Sequence, residues 1–230
     1  MDFLQPFLAW NVKELPFVLL ALLIGFTFHE FAHAYFANKF GDPTAKLLGR
    51  VTLNPASHID LFGTLLLIIA GFGWARPVPV NRDNFSKPRL MGIIVSAAGP
   101  LSNLFIAAIG AMIISLLKLG TLQAIPNDNV ALAIYIAFHY IIQINILLFI
   151  FNLIPLPPLD GYRILEDIVP RAVRIRLQQL EQWSFFIFIL VVFISPIRRV
   201  TIDPLFSQVD RIYWSLIGFF GQLFGVPTGM

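Results

Sequence analysis

Three polar residues with the spacing of a zinc-binding motif interrupt a strongly apolar stretch of the chain. The motif HEFAH runs from His29 to His33, among Phe, Ala and Leu residues. Residues four positions apart lie on one face of a helix, so the two imidazoles can bind the same Zn²⁺ ion. Glu30 is then within reach of a water molecule at the ion and can act as a general base. The spacing therefore predicts a zinc hydrolase.

The composition of the chain supports this interpretation of HEFAH. The motif is short enough to occur by chance, but ionisable residues inside a membrane are costly and usually functional. The 230 residues are 57% hydrophobic and 13% charged, and several apolar stretches are long enough to span a bilayer. With no cysteine in the chain, only His, Asp or Glu can hold a metal. We expect one integral membrane domain over residues 1–230, with one zinc ion per chain.

The apolar segments predict an all-α polytopic membrane protein with about four to five transmembrane helices. We place spans at residues 15–37, 90–117 and 130–153 and a fourth span that includes residues 183–194, followed by a short apolar helix at 212–224. The chemical motifs fall within residues 25–165, and residues 183–225 form C-terminal helices.

Two segments outside these spans carry more specific expectations. The apolar stretch 61–72 is too short to span, and its flanking glycines predict a re-entrant hairpin. In residues 76–80, prolines alternate with valines, a pattern that excludes a central strand and suits an edge strand. An ordinary loop on the membrane surface is the alternative for this second segment.

Basic residues predict the orientation of the chain in the membrane. Seven of the 16 Lys and Arg residues lie within residues 38–90, and four more lie within residues 160–181. Both loops lie on one side if the N-terminus is outside, so the positive-inside rule places them in the cytoplasm, with HEFAH near that face. The bases are scattered between apolar spans, which does not suit a nucleic-acid partner. We expect a multi-pass protein of the cell membrane.

A tetrahedral catalytic zinc site needs a third protein ligand, and Asp160 is the best-placed candidate. It follows the third span at the same end of the membrane as HEFAH, after the proline-rich sequence IPLPPLDG. On local sequence alone, Asp160–Gly161 is more typical of a surface turn at a helix end. As a ligand, Asp160 would require the chain after Asn152 to leave helical geometry. We then expect Asp160→Ala to lower zinc and activity, and Glu166→Ala to change neither.

The paired motifs resemble those of the site-2 protease family of intramembrane zinc metalloproteases. HEFAH is followed far downstream by NLIPLPPLDG (152–161), and GDPTAKLLGRVTLNP (41–55) and AGPLSN (98–103) also match the family's pattern. The resemblance implies His29, His33 and Asp160 as zinc ligands and Glu30 as the catalytic base. It further implies a membrane-protein substrate with a transmembrane helix, recognised beside a small membrane-associated β-element. No PDZ or nucleotide-binding module is evident, so the chain resembles a compact form.

Three further polar residues are candidates for the site. Asn152 and Asn103 lie on predicted spans, where buried amides need partners, and either could bind the substrate backbone or the developing oxyanion. Their alternative role is to join helices by hydrogen bonds. His58 is a candidate fourth ligand or gate, although a histidine in such a loop more often caps a turn.

Two other functions fit the same residues. A metal-binding but proteolytically inactive scaffold would hold membrane partners and would not need Glu30. An ion or metal transporter would line its path with the same charged residues, but no inverted repeat is visible in the sequence. Oligomeric state is left open by the sequence.

Overall fold

The computed structural model describes residues 11–70, 73–118 and 127–226, and within these ranges the chain is helical, without a β-strand. We number the α-helices in chain order: α1 Leu15–Lys39, α2 Thr44–Leu47, α3 Leu61–Ala70, α4 Pro88–Lys118, α5 Asp128–Asn152, α6 Asp160–Ile168, α7 Arg171–Leu180, α8 Ser184–Phe193, α9 Ser195–Thr201 and α10 Asp203–Leu223.

Three of these helices, α1, α4 and α5, are long and apolar enough to cross a membrane. They have 25, 31 and 25 residues, and their ends lie within about two residues of the predicted spans. Pro16 stands in the first turn of α1, where its missing N–H costs nothing. Asn127 begins α5 by accepting a hydrogen bond from the Asn129 amide.

The sequence predicts four to five spans, whereas the described ranges contain three helices of spanning length. Residues 183–194 do not provide a fourth, because α8 has only 10 residues and ends at Phe193, where the extended backbone of Ile194 separates it from α9. At 1.5 Å per residue, ten residues cover about 15 Å, half of a hydrocarbon core. The predicted final helix is longer than expected, since α10 has 21 residues.

The three spanning helices form the scaffold of the molecule. Helices α1, α4 and α5 pack against one another, α6 packs against α4, and α10 packs against α4 and α5. One apolar cluster joins α4, α5 and α10 through Ile114, Ile142 and Tyr213, and another joins α1 to α5. A Cβ at Gly110 would lie 3.0 Å from Ile142, so this glycine lets α4 approach α5 closely.

Both expectations for the segments outside the spans are corrected. Residues 61–70 form the single helix α3 rather than a re-entrant hairpin, and residues 71–72 lie outside the described ranges. Residues 76–80 are not a strand, because the described ranges offer no ladder partner for them. Instead, residues 73–81 run as a lone segment without helix or strand, held against α3 at Gly63, where a Cβ would lie 2.2 Å from the Trp74 carbonyl oxygen.

The chain leaves helical geometry between α5 and α6, as the ligand hypothesis for Asp160 requires. Helix α5 ends at Asn152, the next seven residues form turns, and α6 begins at Asp160. Prolines 155, 157 and 158 lie in this break, where each lacks an amide N–H and disfavours helix before it.

Candidate metal centre

Three ligand atoms from two distant parts of the sequence converge at one point. The Nε2 atoms of His29 and His33, one helical turn apart on α1, are separated by 3.0 Å. The Oδ2 atom of Asp160, at the start of α6, lies 3.1 Å from the first and 3.3 Å from the second. All three residues are largely buried, and among the described residues this is the group that could hold a metal ion.

The outer nitrogens of both imidazoles already have partners. His33 Nδ1 lies 2.7 Å from the Val95 carbonyl oxygen, which can only accept, so Nδ1 carries the proton. His29 Nδ1 lies 2.7 Å from Asn103 Oδ1. The amide nitrogen of Asn103 is identified by its 3.0 Å bond to the Gly25 carbonyl, so its oxygen accepts from His29. In the neutral imidazoles, the form that binds a metal, both Nε2 atoms therefore present lone pairs to each other.

This arrangement fits zinc. Two lone pairs and a carboxylate oxygen at these distances repel one another unless a cation lies between them, and Asp160 Oδ2 is buried without a hydrogen-bond donor. In a tetrahedral site with bonds of about 2.0–2.2 Å, ligand atoms are roughly 3.3 Å apart. The observed separations of 3.0–3.3 Å match that spacing.

Two glycines allow the ligands to meet. A Cβ at Gly99 on α4 would lie 2.3 Å from His33 Nε2 and 2.7 Å from the His29 ring, so this glycine leaves room for the imidazoles. A Cβ at Gly161 would lie 2.2 Å from the Leu153 carbonyl oxygen, so only glycine lets the chain fold back and present Asp160. Asp160 also lies in the first turn of α6, where the helix dipole favours a carboxylate.

A buried amide network supports His29 from behind. Asn103 is fully buried, and its amide nitrogen donates to the Gly25 carbonyl and, at 3.0 Å, to Asn145 Oδ1. Asn145 donates in turn to the Ile141 carbonyl at 2.8 Å. Of the two roles that the sequence left open for Asn103, its contacts favour joining helices, because it binds a candidate ligand and Asn145. Asn145 was missed, although a polar residue within an apolar span was a signal for it.

The two other candidates from the sequence do not contact the three ligand atoms. Asn152 is half-buried in the wall of the cavity that contains the ligand group, and its amide donates to the Leu148 carbonyl at 2.9 Å. His58 is fully buried in the loop before α3, bonded to the Thr52 carbonyl at 2.8 Å. The structure does not bring His58 to the three ligand atoms, so it is not a fourth ligand in this arrangement.

Glu30 lies beside the ligand group and faces the same cavity. The cavity has a volume of about 880 Å³ and is lined by apolar residues such as Phe26 and Phe151 as well as by the ligand residues. The carboxylate of Glu30 accepts a hydrogen bond at 2.8 Å from the Val78 amide in the segment 73–81. A carboxylate next to a metal site in a cavity of this size can accept a proton from water.

The fold and the site together define a class: a helical membrane protein with a zinc centre of hydrolytic type. The sequence profile described as peptidase family M50 matches residues 17–128 and 115–195. The chain belongs to this family, the site-2 protease family, and is an intramembrane zinc metalloprotease.

Three relatives illustrate the similarity. YwhC of Bacillus subtilis (strain 168), provisionally named a zinc metalloprotease, is 48% identical over 204 residues, covering 89% of this chain and 92% of its own. Rip2 of Mycolicibacterium smegmatis, with the same provisional name, is 31% identical and covers 92% and 75%. MJ0611 of Methanocaldococcus jannaschii is 28% identical and covers 68% and 73%. No solved structure matches the chain significantly. These names favour neither an inactive scaffold nor a transporter.

Proposed function

We propose that His29, His33 and Asp160 hold the catalytic zinc ion and that Glu30 is the general base of peptide-bond hydrolysis. One observation carries this assignment: two imidazole lone pairs and a carboxylate oxygen converge within 3.3 Å, with Glu30 on the same helix and in the same cavity. When bound, zinc supplies Lewis acidity, which lowers the pKa of water and polarises the scissile carbonyl.

The protein's own residues then carry the proton. Glu30 accepts a proton from the attacking water and returns it to the amine of the leaving peptide, so that water is divided between the new carboxyl and amino ends. The side chain of Asn152, in the wall of the same cavity, is our candidate donor to the developing oxyanion. The Leu148 carbonyl uses one of its two amide hydrogens, which leaves the second for the oxyanion.

The proposed substrate is a transmembrane segment of another membrane protein. We infer that the cavity lies within the bilayer, because helices long enough to span a membrane form its walls, and Phe26, Leu148 and Phe151 there suit apolar side chains. A helix hides its carbonyls in hydrogen bonds, so the substrate must unwind before cleavage.

We further propose that the protein is multi-pass and that the site faces the cytoplasm. The C-terminal end of α1, the start of α4 and the end of α5 share one side of the bundle, and the base-rich loops adjoin it. Because the chain has no cysteine, Asp83→Cys and Asp128→Cys give clean probes for the two sides. Labelling of the Cys at position 83 only from outside would invert the topology.

Glu30→Gln tests the proposed function most simply. Purified protein is incubated with a labelled transmembrane peptide, with and without a zinc chelator, and zinc content is measured in parallel. We expect no cleavage but full zinc, because an amide cannot take the proton from water. Glu14→Gln is the matched control: it makes the same chemical change at the start of α1, beside Tyr140 and remote from the ligands. Wild-type cleavage by Glu30→Gln would refute the assignment.

A further inference from the structure

The segment 73–81 crosses the site and is fastened at three points. Near its start, the Arg76 amide donates to the His58 carbonyl at 2.8 Å. At its end, the Asn81 amide donates to Asp42 Oδ2 at 2.7 Å. Between these two anchors, the Val78 amide donates to Glu30 Oε2. The segment is therefore held at both ends while its middle contacts the proposed base.

Arg50 provides the strongest attachment near the start of this segment. Its guanidinium donates to the Arg76 carbonyl at 2.6 Å and to the Pro77 carbonyl at 3.3 Å, the two carbonyls immediately before the Val78 amide. Arg50 is 7% exposed. Burying a guanidinium is costly unless it is paired. Here it donates hydrogen bonds to backbone carbonyls rather than to a carboxylate. Nothing in the hydrolysis described above uses this residue.

Arg50 also interacts electrostatically with Glu30, the proposed base. Burial lowers the pKa of Arg50 below its usual value, and the negative charge of Glu30 opposes that shift. Arg50 remains cationic, because guanidinium groups do not lose their proton in proteins. Arg50 thus acts on the Glu30 carboxylate in two ways. Its charge attracts the carboxylate, and its backbone contacts fix the Val78 amide that binds it.

The Val78 contact has a consequence for Glu30. A carboxylate with one oxygen fixed by a backbone N–H has a restricted side-chain orientation, and its other oxygen stays available. Glu30 Oε1 makes no hydrogen bond to the part of the chain that the structure describes. The Val78 amide can orient the Glu30 carboxylate only if its own backbone is fixed. Arg50 fixes this backbone through the two carbonyls that precede Val78.

We propose that Arg50 is a positioning residue for proteolysis: it clamps the backbone of Arg76 and Pro77 so that the Val78 amide orients the Glu30 carboxylate for proton transfer. This inference rests on the proposed role of Glu30 as general base. Arg50 touches neither the three ligand atoms nor the wall of the cavity. Its effect therefore falls on the chemical step and not on zinc or substrate binding.

The test compares kcat, KM and zinc content of the full-length protein with a labelled transmembrane peptide as substrate. For Arg50→Ala we expect kcat to fall about 100-fold, the cost of a small misplacement of a catalytic group. KM and zinc content should remain near wild type. Arg50→Lys should recover only part of the loss, because an ammonium keeps the charge and can donate but lacks the planar fork that holds both carbonyls. Arg76→Ala is the control. Arg76 is an exposed arginine in the same segment, and Arg50 contacts only its backbone carbonyl, which the substitution keeps.

A second pair of variants tests the amide itself. Val78→Pro removes the N–H, whereas Val78→Ala keeps it; with zinc retained in both, the proline variant should lose far more kcat than the alanine variant. Wild-type kcat in Arg50→Ala would overturn the proposal, as would a loss of kcat that parallels a loss of zinc or of thermal stability. If Glu30→Gln still cleaves, the proposed function itself fails. If Glu30→Gln is inactive while Arg50→Ala is fully active, only the positioning role fails.

Discussion

Two clusters of buried charge line the same cavity, and they differ in how their charges are compensated. In the ligand group, His29, His33 and Asp160 turn acceptor atoms towards one another. In the second cluster, which joins the turn before α4, helix α6 and the turn after α7, the acids face guanidinium groups. Arg82 lies 3.0 Å from Asp167, and Arg163 lies 2.9 Å from Glu166 and also contacts Glu181.

This difference separates a site from a structural network. A cluster whose charges pair internally needs no further ligand, although removing one partner leaves an uncompensated buried charge. A cluster of converging acceptors is complete only with a cation. Burial alone would not distinguish the two, since Glu166 and Asp167 are more buried than Asp160. That Glu166→Ala changes neither zinc nor activity stays a prediction, but Glu166 is 1% exposed and ion-paired, so we expect this substitution to destabilise the fold.

The largest contrast is predicted between Asp160→Ala and Asp167→Ala. The first removes a ligand, so we expect zinc and cleavage to be lost together. The second leaves Arg82 without its partner, so we expect a loss of about 3 kcal/mol in the free energy of unfolding, the cost of breaking a buried ion pair. Zinc should be retained. Metal analysis and thermal denaturation of both purified variants measure the two effects. Retained zinc in Asp160→Ala would show that Asp160 is not a ligand and that the two clusters do not differ in this way.

Crowding the ligand group without removing a ligand should have the next largest effect. Gly99→Ala places a Cβ 2.3 Å from His33 Nε2, so an imidazole or α4 must shift. Activity should fall on the order of 100-fold, with lower zinc occupancy. Gly218→Ala on α10 is the matched control, because a Cβ there meets no atom within 4 Å. Equal activity of both variants would mean that the imidazoles lie elsewhere when zinc binds.

Asn103 and Asn152 should have different roles, the first in zinc affinity and the second in catalysis. Asn103→Ala leaves His29 Nδ1 without its acceptor, and such outer contacts typically contribute about 10–100-fold in metal affinity. Asn152→Ala should keep zinc but lower kcat, by about 100-fold if its amide stabilises the oxyanion. Zinc affinity by competition with a chelator, measured beside kcat, distinguishes them. Weakened zinc in Asn152→Ala, or normal affinity in Asn103→Ala, would reverse the assignment.

The smallest predicted effect concerns Asp42, a buried carboxylate that is fully compensated by donors. Burial by itself would raise the pKa of Asp42, but hydrogen bonds from Thr44, Asn81 and Asn84 lower it below its usual value. The charged form is thus favoured in the folded state. Its contribution to stability is present above the ordinary aspartate pKa of about 4 and is lost as pH falls through the lower folded value.

Thermal denaturation at neutral and acidic pH checks this expectation. The wild type should lose stability on acidification, and Asp42→Asn should start lower and change less over the same range. An identical pH dependence of the two proteins would show that Asp42 is not responsible.

Much of the site followed from the sequence because its residue types are costly in a membrane. The HEFAH spacing predicted two histidines on one helical face, and the prolines after Asn152 predicted a break in the helix. Local sequence alone favoured a surface turn at Asp160, and its role as a ligand was implied by the family resemblance. The observed geometry has the histidines on one face, the break, and Asp160 beside the histidines. The three long apolar spans were predicted almost to the residue for the same reason: about 20 apolar residues have few other structures available.

The parts that could not be predicted depend on contacts between distant segments. The alternating prolines and valines of residues 76–80 suggested a strand, but a strand exists only with a partner, and this segment is held by Arg50 and Asp42 instead. The link from Asn103 to Asn145 joins α4 to α5, which no local pattern indicates. Residues 183–194 are apolar but too short, so their composition suggested a span that their length does not provide.

X-ray absorption spectroscopy of the zinc-loaded protein tests the central claim most directly. We predict a shell of two imidazole nitrogens and oxygen ligands at about 2.0–2.2 Å, with the carboxylate oxygen lost in Asp160→Ala. Sulfur ligation is not expected, since the chain contains no cysteine. A shell with three or more imidazoles, or one that Asp160→Ala leaves unchanged, would contradict the assignment of His29, His33 and Asp160 as the zinc ligands.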